Sequence, residues 1–340
     1  MANAERIAGL DSHSLILDNN GFGFPCDEQI CVTARLSSLR KRKELVKEIR
    51  VQYDILHFNF GTSVIDLRRF GINLRDLKMY EGFCKVVVSF NGSDLRNWDH
   101  RKVNPNTPYR SDHTVSGFLK DRLKRYRAKI WMRHVSHAFV STPDLLQFLP
   151  EEKCSYLPGV KENVRNISPV LYDEHAEPFR IVHAPSNRKL KGTQVLVDAV
   201  KSLQRDGVPV ELLLVEGVTN REAIELYKKA HLIVDQLLIG WYGGFAIESL
   251  ALGKPVMAYI NDDTLARVDA EMRKDVVDTF VSTEPARVKD DLLKAIGNRS
   301  SLAEKAGKGP EFVSTWHCPD KAIRPVIEIY ESILNSGSMR

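Results

Sequence analysis

GWYGGFAIESLALGKPVMAYI, residues 240–260, joins two apolar segments through a glycine turn and a short helix. The apolar segment LIVDQLL (232–238) precedes it and reads as a strand. A glycine-rich turn from Gly240 to Gly244 then opens a short helix, FAIESLAL, which stops at Gly253 ahead of the strand PVMAYI (255–260). Strand, turn, helix, strand is a βαβ unit, and its sheet is parallel. Glycines in such a turn let backbone N–H groups approach a ligand closely. The helix N-terminus adds about half a positive charge, which suits a phosphate. Glu248, one turn into the helix, is placed to reach back and accept hydrogen bonds from vicinal hydroxyls such as those of a ribose. A glutamate facing solvent on a surface helix is the alternative.

The same alternation runs through the rest of the chain. FRIVHA (179–184) and VELLLV (210–215) read as strands. Between them Leu196, Ala199, Val200 and Leu203 recur at helical spacing, with Gly207 as C-cap. Thr219 and Glu222 form a capping box that opens a helix through Ala230. In the N-terminal half YDILHFNF (53–60), KVVVSF (85–90) and HAFVST (137–142) are strands. Their following turns, at Gly61, at Asn91 to Asp94 and at Thr142 to Asp144, belong at one carboxyl edge. Turn residues and charges at 157–175 mark a linker, and an amphipathic helix closes the chain at about 320–334.

A second stretch, HAPSNRKLKGTQ (183–194), follows a strand and opens a helix. It offers Arg188, Lys189 and Lys191 beside Ser186 and Asn187. Guanidinium and ammonium groups offset the charge of a diphosphate, although a basic turn pairing with nearby carboxylates has the same composition. Asn261-Asp262-Asp263 reads as a turn after a strand. The histidines at 57, 100, 113, 134 and 137 lack zinc spacing.

Composition sets the outer bounds. The 340 residues suit two α/β domains. No apolar run approaches the roughly 20 residues that span a bilayer, and the N-terminus lacks a signal-peptide core. Five scattered cysteines fit a reducing, cytoplasmic compartment. Residues 1–165 hold 27 Lys and Arg against 19 Asp and Glu, a balance of +8; the remaining 22 basic and 25 acidic residues give −3. The excess sits at 40–50 and 119–133. It describes either solvated helix faces or attraction to an anionic membrane or acceptor, two readings that charge alone leaves open. The runs carry no nucleic-acid recognition motif.

These pieces, in this order, resemble the group 1 glycosyltransferases (family 4), which have the GT-B fold. The resemblance lies in APSNRKLKGT, VELLLVEG and LIVDQLLIGWYGGFAIESLALGKPV, with YDILHFNFGTSV, VVVSFNGSDLR and FVSTPDLLQFLP in the N-terminal half. It implies an α/β chain of two Rossmann-like domains facing across a cleft. An acceptor-side domain would occupy 1–165, a nucleotide-sugar-binding domain 175–311, and a helix at 312–340 would cross back to the N-terminal domain. It implies transfer of a sugar from a nucleotide diphosphate donor to a saccharide or lipid-linked acceptor, as in polysaccharide and cell-envelope synthesis. The family's transfer retains configuration and uses no metal or other cofactor beyond the donor co-substrate.

Site residues carry over by position. Glu248 matches the donor's ribose ligand; Lys191, with Arg188 as partner, matches the diphosphate contact. Gly243, Gly244 and Phe245 match the turn that meets the phosphates or sugar, and Ser186, Asn187 and Glu216 lie beside it. Gly61 matches a loop beside the donor. Asn91 to Asp94 matches the family's His-Gly-Ser-Asp turn at the reaction centre, with Asn91 and Asp94 as its catalytic positions. Three departures stand out. Gly240 occupies the place of the first glutamate of the family's pair, and Asp235 lies five residues further upstream. Asn91 replaces the histidine and cannot titrate near neutral pH. No strand and glycine loop precede ANAERIAGLDSHS, so either the recorded start is internal or the N-terminal sheet lacks an element. A homologue that binds nucleotide sugar or a partner transferase without efficient transfer is therefore a second reading, and a nucleotide-sugar epimerase a third.

Overall fold

The computed structural model describes residues 1–17, 26–32, 35–109, 115–175 and 177–336, the side chain at 69 aside; His113 lies outside them. The described residues form two compact units. Unit 1 is Met1–Trp98, Ser111–Pro158 and Ile323–Arg340; unit 2 is Asp99–Arg110 and Gly159–Ala322.

Unit 1 is built on a four-stranded parallel sheet in the order β3 (Ile55–Asn59), β4 (Lys85–Phe90), β5 (His137–Val140), β6 (Cys154–Tyr156). Because these strands are parallel neighbours, the turns after β3, β4 and β5 share one edge, as expected. A separate parallel pair, β1 (Leu15–Leu17) and β2 (Glu28–Ile30), follows the helix Ala2–Ile7. Neither strand is expected from the sequence: each has three residues and lies in no longer apolar run. Leu15, Leu17 and Ile30 pack on the unit's core, with Val46, Ile65, Leu77, Val88 and Trp131 at its centre.

The closing helix Arg324–Asn335 belongs to this unit. Its Tyr330 hydroxyl donates to Glu5 Oε1 at 3.1 Å and meets His57 Nδ1 at 2.6 Å, while His57 Nε2 faces the Ser89 hydroxyl at 2.7 Å. Residues 312–322, expected to start the crossover, stay with unit 2, where the helix Arg299–Trp316 runs on to Trp316.

Unit 2 carries a five-stranded parallel sheet: β7 (Phe179–His183), β8 (Val210–Leu214), β9 (Leu232–Val234), β10 (Val256–Ala258) and β11 (Phe280–Ser282), in the order β11-β10-β9-β7-β8. Strand β7 pairs with β8 on one side and β9 on the other, so the chain reverses direction of travel across the sheet there. That switch point leaves a crevice at the carboxyl ends of β7 and β9. Leu196, Ala199, Val200 and Leu203 of the helix Thr193–Arg205 are buried as their spacing predicts. The capping box of Thr219 and Glu222 is formed, and its helix spans Asn220–Tyr227. Asn261 caps the short helix Asp262–Leu265, which accounts for the Asn-Asp-Asp run.

Candidate functional site

Both chemistry-bearing stretches of the C-terminal half leave the sheet at this switch point. His183, at the end of β7, is buried and clamps the crevice floor. Its Nδ1 donates to the Val234 carbonyl at 2.6 Å and its Nε2 accepts from the Thr193 hydroxyl at 2.9 Å. Burial lowers its pKa, so the imidazole is a neutral structural strut. The turn after β9 is held by its aromatics. Trp241 and Tyr242 are buried; Tyr242 stacks on Phe280 with centroids 4.7 Å apart, and its hydroxyl lies 3.1 Å from His317 Nε2. With those side chains turned inward, Gly243 and Gly244 line the N-terminus of the helix Gly244–Ala251.

Lys191 meets this turn. Its Nζ lies 3.1 Å from Asp235 Oδ1 and 2.8 Å from Gln236 Oε1, while Asp235 Oδ2 accepts the Gly243 N–H at 2.6 Å. A β-carbon on Gly243 would come within 2.9 Å of that ammonium nitrogen. Stretches 188–191 and 243–248 therefore share one locality. Asp235, five residues upstream of the place of the missing glutamate, is in this locality but does something else there. It holds the turn's amide and the lysine together. An ammonium has three donors, and Lys191 spends two here.

Two residues of the expected linker, Lys161 and Asn163, complete the locality. A β-carbon on Gly244 would lie 2.7 Å from Lys161 Nζ, so a second ammonium stands at the helix N-terminus. Asn163 donates to Glu248 Oε1 at 2.7 Å, and Asn220 approaches Oε2 at 3.4 Å. Each carboxylate oxygen keeps lone-pair capacity for a further donor. Nothing in PGVKENVRN distinguishes these residues by periodicity or spacing; the 3₁₀ turn Glu162–Asn166 that delivers them is a tertiary feature.

The other candidates are placed differently. Arg188 is exposed and forms an ion pair with Glu216, its Nε 2.9 Å from Oε1. That contact raises the arginine's pKa and lowers the glutamate's. Asn187 spends its side chain capping the turn Arg188–Lys191, accepting from Leu190 N–H at 3.0 Å, and Ser186 is exposed beside it. Phe245 packs its ring on Tyr227 at 4.7 Å, leaving its backbone to face the turn.

Gly240 has a physical reason to be glycine. Its φ is +87°, and a β-carbon there would lie 2.9 Å from Asn261 Cβ and 3.2 Å from Asn104 Nδ2. Asn104 occupies the neighbouring space, donating to the carbonyls of Leu238 and Ile239, each at 2.9 Å. The site thus has no room for a glutamate at 240.

In unit 1, Asn91 and Asp94 lie at the carboxyl end of β4. Asp94 accepts the backbone N–H groups of Asn91 at 3.1 Å and Gly92 at 2.7 Å; burial raises its pKa while those donors oppose the rise. Asn91 Nδ2 donates to Asn59 Oδ1 at 2.6 Å. Gly61, after β3, is buried and its carbonyl accepts from Trp131 Nε1 at 3.0 Å. The turn after β5 is tied in by Arg96, whose Nε donates to Asp144 Oδ2 at 2.6 Å.

No family model matches the sequence, and no curated protein matches it. Solved structures do. A sucrose-phosphate synthase from Thermosynechococcus elongatus is similar over 98% of this chain and 92% of its own, with TM-score 0.65 and 14% identity. A glycosyltransferase from Rickettsia africae covers 98% and 93%, with TM-score 0.59 and 15% identity. HepE of Anabaena, crystallised with UDP-glucose, covers 92% and 86%, with TM-score 0.56 and 14% identity. The two parallel sheets, the switch-point crevice and these neighbours together establish that the chain has the GT-B glycosyltransferase fold.

Proposed function

We infer that the chain is a glycosyltransferase that takes a sugar from a nucleotide diphosphate and passes it to a saccharide or lipid-linked acceptor. One observation carries the reading: Lys161 and Lys191 converge on the Gly243-Gly244 turn at a helix N-terminus, beside a carboxylate, Glu248, with spare acceptor capacity. The first-turn N–H groups of Gly244, Phe245 and Ala246 have no carbonyl one turn back to bond to. Together with two ammonium groups they suit a pyrophosphoryl group, while Glu248 suits ribose hydroxyls. As the bond to the sugar breaks, charge gathers on the leaving diphosphate, where these donors already point. Transfer with retention, with a donor phosphate oxygen taking the acceptor proton, asks for no strong protein base and so accommodates Asn91. The lysines and amides supply positive charge at the diphosphate, which is why we propose a metal-independent reaction. HepE, a neighbour in fold, is a precedent for UDP-glucose as the class of donor.

Thermal-shift titration with nucleoside diphosphates and their sugars tests the pocket. A ligand at a hundred times its Kd stabilises by about 2.7 kcal/mol. Lys161→Ala, Lys191→Ala and Glu248→Ala should each lose most of that shift; retention of the full shift in all three sinks the assignment. Turnover on an acceptor panel follows. Gly240 and Asn91 together favour one competing reading, a homologue that holds the donor without efficient transfer, and a donor shift with no turnover on any acceptor would select it. Conversion of the donor sugar without acceptor would instead indicate an epimerase.

A further inference from the structure

The helix Val115–His134 in unit 1 is apolar on the wrong side. Its contacts with the core come from its second half: Trp131 and Ala128 are buried, and Arg127 is held by Asp66 and the Gly61 carbonyl. Lys124 lies on that same side, donating to the Arg96 carbonyl at 2.6 Å. Positions 115, 118, 119, 123 and 126 recur at i, i+3, i+4, i+8 and i+11, on the opposite face. Those positions are Val115, Phe118, Leu119, Leu123 and Tyr126. They are 78%, 58%, 56%, 38% and 55% exposed. Scattered surface leucines need no explanation, but a continuous stripe of this length on one helix does.

Cations continue the same stripe. At 100° per residue Arg122, Arg125, Lys129 and Arg133 fall on the apolar face or its border. All four are exposed. The helix's acidic residue, Asp121, accepts the Trp98 N–H at 2.9 Å on the other side. An apolar wedge that grades into a run of cations matches a bilayer surface whose headgroups are anionic: ring and aliphatic groups enter the acyl boundary while long basic stems reach the phosphates. No helix among the described residues is long and apolar enough to cross a membrane, so this one would lie in the interface.

We propose that the exposed face of Val115–His134 is a docking surface for an anionic lipid bilayer, with Phe118, Leu119 and Tyr126 inserted and Arg122, Lys129 and Arg133 at the headgroups. The occupant is chosen by charge complementarity. A second copy of this chain would have to bring an identical cationic face against it, at a cost in repulsion. The inference is independent of the donor pocket, which lies in unit 2.

The test is co-sedimentation of the full chain with phosphatidylcholine vesicles, with and without phosphatidylglycerol. The protein should pellet with the anionic vesicles, remain in solution with the neutral ones, and be released by high salt. Phe118→Ser with Tyr126→Ser, and separately Lys129→Glu with Arg133→Glu, should each weaken partitioning by about tenfold or more. Both double variants should keep the wild-type melting temperature and nucleotide response. Tyr126→Trp gives a second readout, a fluorescence blue shift on anionic vesicles and quenching by brominated acyl chains. Wild-type protein that stays in solution with anionic vesicles overturns the proposal. So does partitioning unchanged in the Phe118/Tyr126 variant, or self-association of the wild type that this variant abolishes while vesicle binding is absent.

Discussion

At the scale of single residues, the site is defined as much by a glycine as by its charges. Gly240 stands where the resembled family has a glutamate, and its left-handed backbone together with Asn104 and Asn261 closes that position to any side chain. Restoring the family pattern with Gly240→Glu should therefore impair the protein. Strain at a positive φ and displacement of Asn104 should cost about 2–3 kcal/mol, read as a lower urea midpoint, with no gain in transfer rate. Equal stability and faster turnover would show that the turn can reopen. Lys161 teaches the complementary lesson. A lysine in a run of turn residues has no sequence signature, and the role proposed for it comes from the residue it stands beside, Gly244.

At the scale of elements, the glycine turn is shaped by what flanks it. Strand β9 is followed at once by a carboxylate that bonds one amide of the turn and one lysine of the preceding loop. Asp235 is 1% exposed, so removing it leaves a half-buried N–H without an acceptor and a largely shielded ammonium without its counter-charge. Asp235→Ala should lower stability by about 2 kcal/mol and weaken nucleotide binding as well, because Lys191 loses its tether. Denaturant unfolding and the thermal-shift titration read the two effects separately; a variant as stable and as tight-binding as wild type would contradict the role given to Asp235. The strands with long apolar runs, β4 and β8, were legible in the sequence nearly to the residue. Strands β1, β2, β6 and β11 were not: unlike β9 and β10, which are equally short, they lie in no longer apolar run. Such a strand is held by its neighbours rather than by its own pattern.

At the scale of the whole molecule, each unit holds a neutral histidine at a junction of its segments, His57 half-buried and His317 buried. His57 lies under the closing helix, with burial pushing its pKa down to about 3; His317 bonds Gly159 and faces Tyr242, with burial pushing it down to about 4. Above the ordinary histidine value of about 6.5, folded and unfolded chains are alike in leaving these rings neutral. Below it the unfolded chain takes up protons that the folded chain refuses, so stability is lost as pH falls. The window runs from about 6.5 to about 4 for His317 and to about 3 for His57. The melting temperature should thus fall progressively below about pH 6.5, at about 1 kcal/mol per pH unit for each ring. His317→Gln should flatten the decline in that window; an unchanged slope would remove His317 from the account.

Sequence alone determined the α/β class, the parallel strands with long apolar runs, the buried face of the helix Thr193–Arg205 and the glycine turn that opens the helix at Gly244. Each of these is local: a period, a cap or a glycine run stated by residues next to one another. Tertiary structure decided that β7 and β9 lie side by side, that Lys161 and Asn163 return to the turn, and that Asn104 fills the space over Gly240. It also decided that the helix after 115 turns apolar residues away from its core. Those are facts of adjacency between distant segments, set by strand order and packing, and a single sequence carries no period that encodes them.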